Sequence, residues 1–231
     1  MEGSAVTETV ITVQGQHSSF HPAERATVHL SIHVDGARRG PVFDAVNAAA
    51  EDVRSRVAGL HESQVGPITW WSSDSVQLWG DRPWSQDGKQ LPVVYHARIN
   101  FTAKFSDFGA LARFVEDMAG IDGVTISQLE WTLTDARRVA VTAEVRSRAV
   151  KDAVSKATVY AQSIGLGSVR AIAIADPGML GDQVGAVAGG MQFASSSRQF
   201  KAMDAAGSPE LSLKPEDIEV AAVVDARFVA S

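Results

Sequence analysis

The sequence predicts an α+β protein in which helices pack on antiparallel or mixed β-sheets. Three observations carry that reading. From 93 to 105 the side chains alternate, with Val93, Tyr95, Ala97, Ile99, Phe101, Ala103 and Phe105 on one face. Val94, His96, Arg98, Asn100, Thr102 and Lys104 take the other. One apolar and one polar face is what an antiparallel strand needs when core lies beneath it and water above. From 41 to 60 the period becomes helical, with Val42, Val46, Ala49, Val53, Val57 and Leu60 on one stripe. Finally, 231 residues with 45% hydrophobic and 21% charged side chains suffice to bury a core without staples.

The elements follow in the order β-β-α-β-β-α-β-α-β-β. Val10 to Val13 is a short apolar opening strand. In the next, Val28, Leu30, Ile32 and Val34 alternate with His29, Ser31 and His33, and Asp35-Gly36 ends it as a turn. Pro41 suits the first turn of the helix that follows, and Gly59 lies near its end. Residues 68–79 read as a strand broken near 72–74, and 80–91 as a polar loop. After the strand at 93–105, Ser106 is placed to cap a helix with Phe108, Leu111, Val115 and Met118 as its stripe and Gly120 at its end. Val124 and Ile126 alternate, the phase slips once, and Leu129, Trp131 and Leu133 resume it, which predicts a β-bulge near Ser127-Gln128.

The longest helix is predicted over about 135–164, with Val139, Ala143, Val150, Ala153, Ala157, Tyr160, Ala161 and Ile164 as its stripe. Glu144–Arg148 and Asp152–Lys156 are i,i+4 ion pairs on its exposed side. Gly165 stops it, 169–175 is a strand, and Ile218 to Phe228 closes the chain as another. Residues 176–213, rich in Gly, Ser, Ala and Gln, read as a flexible loop or assembly arm. The reading is of one domain over 10–229, divisible into packed subdomains 10–92 and 93–229. The two β-α-β stretches, 26–79 and 93–133, share a pattern of elements that suggests an internal duplication.

Composition excludes several functions. Without cysteine there are no disulfides, thiolate metal sites or cysteine nucleophiles. A net charge of −6 offers no global field for nucleic acid. No apolar run reaches the roughly 18 residues of a membrane span. The first residues, Met1 to Glu8, lack the basic start and apolar stretch of a secretory signal, so the chain as written is expected in the cytoplasm, or in the periplasm or exported if a leader has been removed.

The search for chemistry finds no catalytic, cofactor-binding or metal-ligating set. Gly165-Leu166-Gly167 follows a helix rather than a strand and reads as a helix stop, not a phosphate loop. His29 and His33 share a strand face but lie about 13 Å apart at strand rise. His17 and His21 flank an expected turn with no acidic cluster beside them. Neither HExxH nor a G-x-S-x-G elbow occurs. Trp70, Trp71, Trp79 and Trp84 crowd one stretch, and adjacent Trp70 and Trp71 must point to opposite faces. Core packing explains part of this. A ligand or oligomer surface is the other reading, since aromatics bury large area with few rotors.

Four segments together resemble the SIMPL-domain family. They are Val13-Gln14-Gly15 before a strand, Phe105-Ser106-Asp107-Phe108 leading into a helix, the helix from Arg148 to Ala157 closing on 161–165, and the terminal Leu213-Lys214-Pro215-Glu216-Asp217-Ile218-Glu219-Val220. The likeness runs from about 10 to 229. It implies helices packed on sheets, a tendency to homo-oligomerise and a link to oxidative stress, and it supplies no catalytic residues. The expected function is thus a non-enzymatic, self-assembling protein of stress or envelope physiology. The alternative is a small-molecule or peptide binding module built on the tryptophan stretch and the long loop.

Overall fold

The computed structural model describes residues 8–84, 86, 89–180, 197–199 (backbone only) and 213–231. Its elements are β1 (Thr9–His21), β2 (Arg25–Gly36), α1 (Arg39–Leu60), β3 (Ile68–Ser73), β4 (Gln77–Asp81), β5 (Val94–Phe105), α2 (Phe108–Ala119), β6 (Val124–Thr132), α3 (Asp135–Ser163), β7 (Val169–Ala175), β8 (Ser197–Gln199) and β9 (Ile218–Ala230). The fold is α+β, with two antiparallel sheets. The chain forms two compact units. One holds 23–132 and 195–216, the other 1–22, 133–194 and 217–231.

In the first unit the sheet order is β3-β5-β2-β6-β8, and β4 also pairs with β5. Without β8, this is the split β-α-β arrangement seen in ferredoxin-like folds. Each half, β2-α1-β3 and β5-α2-β6, places its first strand in the centre and its second outside. That pseudo-symmetry is the structural counterpart of the two β-α-β stretches. Strands from both sides of residue 92 share this sheet.

The core lies between the sheet and the two helices. Val28, Leu30 and Ile32 from β2 meet Ile99, Phe101 and Phe105 from β5, with Val46 and Val53 of α1 and Leu111, Phe114 and Met118 of α2 above them. Phe105 and Phe114 stack tilted at 5.2 Å between centroids. The broken strand breaks at 74–76, after β3. There Asp74 N–H donates to the Asn100 carbonyl and its carboxylate accepts from Asn100 Nδ2 at 2.9 Å, so β5 keeps one edge occupied by two successive strands. The bulge falls at Ser127, where β6 slips against β2 between His29 and Leu30.

Two local expectations are corrected here. α2 is capped by Asp107, whose carboxylate accepts from Gly109 N–H and Ala110 N–H. Ser106 donates instead to the Gly66 carbonyl at 2.8 Å, tying β5 to the loop before β3. The second concerns β2, which does not end at Val34 but runs on through Asp35 and Gly36, because β5 continues to pair with it.

The second unit is a sheet of order β1-β9-β7 with α3 packed on it. β1 is far longer than the apolar stretch at 10–13, because β9 pairs with it from Thr9↔Ala230 to His21↔Ile218. His17 and His21 therefore share a straight strand rather than flanking a turn. α3 is capped by Thr134 and ends as predicted at Gly165, which sits at φ +81°. The bonds Leu166 N–H to Ala161 O and Gly165 N–H to Gln162 O close it as a Schellman motif.

The phase of α3 differs from the predicted stripe. Its buried line is Val141, Val145, Ala149, Ala153, Ala157 and Ala161, while Val139, Tyr160 and Ile164 are exposed. The reason is close approach: a Cβ on Gly15 would lie 2.1 Å from the Ala149 carbonyl oxygen and 2.7 Å from Ala153 Cβ. Small side chains let helix and strand touch, so size decides the phase over hydrophobicity. Most of the predicted arm at 176–213, namely 181–196 and 200–212, lies outside the described residues.

Candidate functional site

The site lies on the face of the larger sheet opposite α1 and α2. Three neighbouring strands build it. On β2, His33 and Asp35 are two residues apart and so share this face. On β5, His96 stands directly opposite Asp35 in the register. On β4, Trp79 pairs with His96 from the other side, and Asp81 follows two residues on.

The three rings stand in a triangle with near-parallel planes. Trp79 lies 5.3 Å from His96 and 6.2 Å from His33 between centroids, and the two imidazoles are 5.9 Å apart, all near parallel. Carboxylates hold the edges. His96 Nδ1 lies 2.5 Å from Asp35 Oδ1, and His96 Nε2 lies 2.7 Å from Asp81 Oδ1. His33 Nε2 is 3.0 Å from the same Asp35 Oδ1. A carboxylate oxygen only accepts, so satisfying both bonds of His96 takes both ring protons. The bond to Asp35, and after it the bond to Asp81, raises the His96 pKa above its ordinary value, in favour of the imidazolium.

On the helix side of the same strand end, a groove of about 770 Å³ runs between α1 and the α2–β6 turn, lined among others by Ala45, Asp52, Arg56 and Asp122, with residues 33–35 of β2 at its edge. Gly123 shapes its rim. At φ +79° it accepts from His33 N–H at 2.9 Å, and a Cβ there would come within 2.6 Å of the His33 carbonyl oxygen.

The tryptophans singled out in the sequence do not form one patch. Trp70 and Trp79 are both on this face, but their β5 partners, Lys104 and His96, are eight residues apart, about 26 Å along the strand. Trp71 points to the other face and is half-buried, and Trp84 is exposed beyond β4. Only Trp79 joins the cluster.

Sequence reasoning weighed His33 only against His29 and set it aside, and it missed Asp35, His96 and Asp81. A signal existed: His33 and Asp35, on either side of Val34, and His96 sit at wet positions of alternating strands. What the sequence could not supply was the register that sets Asp35 against His96.

The profile of the SIMPL family, described as a protein of unknown function (DUF541), matches residues 11–228. The chain belongs to the SIMPL family. No curated protein matches it. No helix among the described residues of this SIMPL chain is long and apolar enough to cross a membrane.

Proposed function

We propose that this SIMPL protein is a non-enzymatic binding protein that takes a small molecule or peptide carrying positive charge at the Trp79 end of the outer sheet face. The observation that carries the reading is the triangle of Trp79, His33 and His96 rings rimmed by Asp35 and Asp81. With His96 protonated, two carboxylates hold one imidazolium, and Arg98 stands on the same face opposite His33. An aromatic face beside half-exposed carboxylate oxygens suits a cation, through ring quadrupole and local charge together. The cluster is poorly suited to acid–base catalysis. A general base needs a free lone pair near neutral pH, and both nitrogens of His96 are held by carboxylates.

The test is tryptophan fluorescence against a panel of amines, polyamines and basic peptides, with Trp79→Phe as control. A saturable change present in the wild type and lost in the variant is expected. No change with any cation, or turnover in a hydrolase screen, would sink the reading.

Self-assembly is the second reading. Its support is the exposed apolar set Val139, Tyr160 and Ile164 on α3. Light scattering should then give a mass above 24.5 kDa, and a strict monomer at all concentrations would remove it.

A further inference from the structure

Asp35 Oδ1, His33 Nε2 and His96 Nδ1 converge, all three within 4.8 Å of one another. We propose that these three atoms bind one divalent transition-metal ion of the cobalt-to-zinc series, with Asp81 as the outer partner that orients His96. The inference rests on the reading of this end of the sheet as a cation surface, and it names the cation.

The first argument is placement. Donors about 2.0–2.2 Å from an ion stand about 3 Å apart from each other. Two of the pairs, at 2.5 and 3.0 Å, stand at or just inside that spacing, and the third lies within 4.8 Å. They project from adjacent strands, β2 and β5, which stay paired with each other through Gly36↔Tyr95, and strands hold ligands more firmly than loops do. Small side-chain rotations suffice to admit an ion.

The second argument is independent of the first. A metal-bound imidazole usually gives its other N–H to a carboxylate, which fixes the tautomer. Asp81 stands 2.7 Å from His96 Nε2, the nitrogen that faces away from the cluster. With Nε2 donating to Asp81, the lone pair is left on Nδ1, where the other two donors meet. Trp79 covers the rings from one side. The side chains of His33 and Asp35 are about half exposed, which leaves an entry path and room for water to complete the coordination.

Two imidazoles and one carboxylate suit zinc, copper or nickel rather than magnesium or calcium, which prefer oxygen alone.

The experiment uses the full chain after treatment with a chelator. Zinc is titrated by calorimetry, and copper is titrated while tryptophan emission is read. Binding of one zinc per chain is expected, with no response to magnesium. His33→Ala, at an exposed position that should leave folding intact, is expected to weaken zinc at least tenfold. Asp81→Asn should weaken it about 10- to 100-fold and Asp81→Glu should recover most of that, as for outer-shell partners elsewhere. Copper should quench emission in the wild type and quench much less in Trp79→Phe, which removes the ring beside the two imidazoles.

Absence of stoichiometric zinc binding, or equal binding by His33→Ala, would overturn the proposal. If zinc fails while organic cations still perturb Trp79, the metal inference falls and the cation-binding reading stands. If both fail, the cluster is an ion-pair network and both fall.

Discussion

A single oxygen, Asp35 Oδ1, faces two imidazole nitrogens, while Asp81 holds the far side of one of them. In the metal-free protein these contacts favour the protonated form of His96. Its folded pKa is raised from 6.5, first by Asp35 and then by Asp81. Below 6.5 it is protonated in both folded and unfolded chains, and its pairing contributes in full. As pH rises through the higher folded value, that contribution is lost. Proton NMR should therefore place the His96 midpoint above 6.5. Asp35→Asn should lower it, and Asp81→Asn should lower it by a smaller amount. An unshifted midpoint in both variants would mean that the carboxylates do not control the ring. Gly123 tests the same corner through the backbone. Gly123→Ala forces an L residue to φ +79° and against the His33 carbonyl, so denaturant melts should show a loss of about 1–3 kcal/mol.

At the scale of elements, the contact of α3 with β1 joins packing to edge protection. β1 is an edge strand in its sheet and carries no charged side chain over Val10 to Phe20. Such an edge invites pairing with another chain. Here Asp152 accepts from Gln16 N–H at 2.8 Å, and Lys156 donates to the Gln14 carbonyl at 2.9 Å, while the two side chains pair at 2.7 Å. The ion pair that reads in sequence as a weak helix-surface contact thus occupies the outward groups of the strand. Asp152 has its pKa lowered from 3.8, first by Lys156 and then by the Gln16 amide. Its contribution is therefore present above 3.8 and disappears as pH falls through the lower folded value. Asp152→Ala should flatten that acid limb in melts taken between pH 2 and 6. It should also expose the edge, so faster aggregation by light scattering is expected at neutral pH. Gly15→Ala should cost about 1–3 kcal/mol by overpacking against Ala149 and Ala153. Strands β2, β5, β6 and β9 were legible because alternation reports a half-buried sheet directly. The phase of α3 was not, because bulk favours Val139 and Tyr160 while the close approach to Gly15 favours alanine. Nor was the site, because Asp35 joins it only when β5 extends β2 past Val34.

For the whole molecule, the chain's path inserts segment 23–132 of one unit between parts of the other, and the same unit takes a second, shorter segment at 195–216. β1 and β9, from opposite ends of the sequence, pair along their full length, whereas 23–132 runs through its own sheet without leaving it. That segment also ends where it begins. Arg25 pairs with Thr132, and Glu24 N–H donates to the Thr132 carbonyl at 2.9 Å. Adjacent termini and a separate core are what allow a domain to be inserted into, or excised from, a longer chain. The core of this segment needs no outside residue: Phe101, Phe105, Leu111, Phe114, Met118, Val46 and Val53 all lie within it. Its pairings are also closer in sequence than those of β1 with β9, so closing them costs less chain entropy. A fragment of residues 23–132 should therefore fold alone, with one cooperative urea transition by circular dichroism. It contains His33, Asp35, Asp81 and His96, so it should also keep the raised His96 midpoint. A gradual transition with an ordinary His96 midpoint would mean that this sheet depends on the rest of the chain. A cooperative transition with an ordinary midpoint would mean that the fold is autonomous but the His–Asp cluster is held in place from outside it.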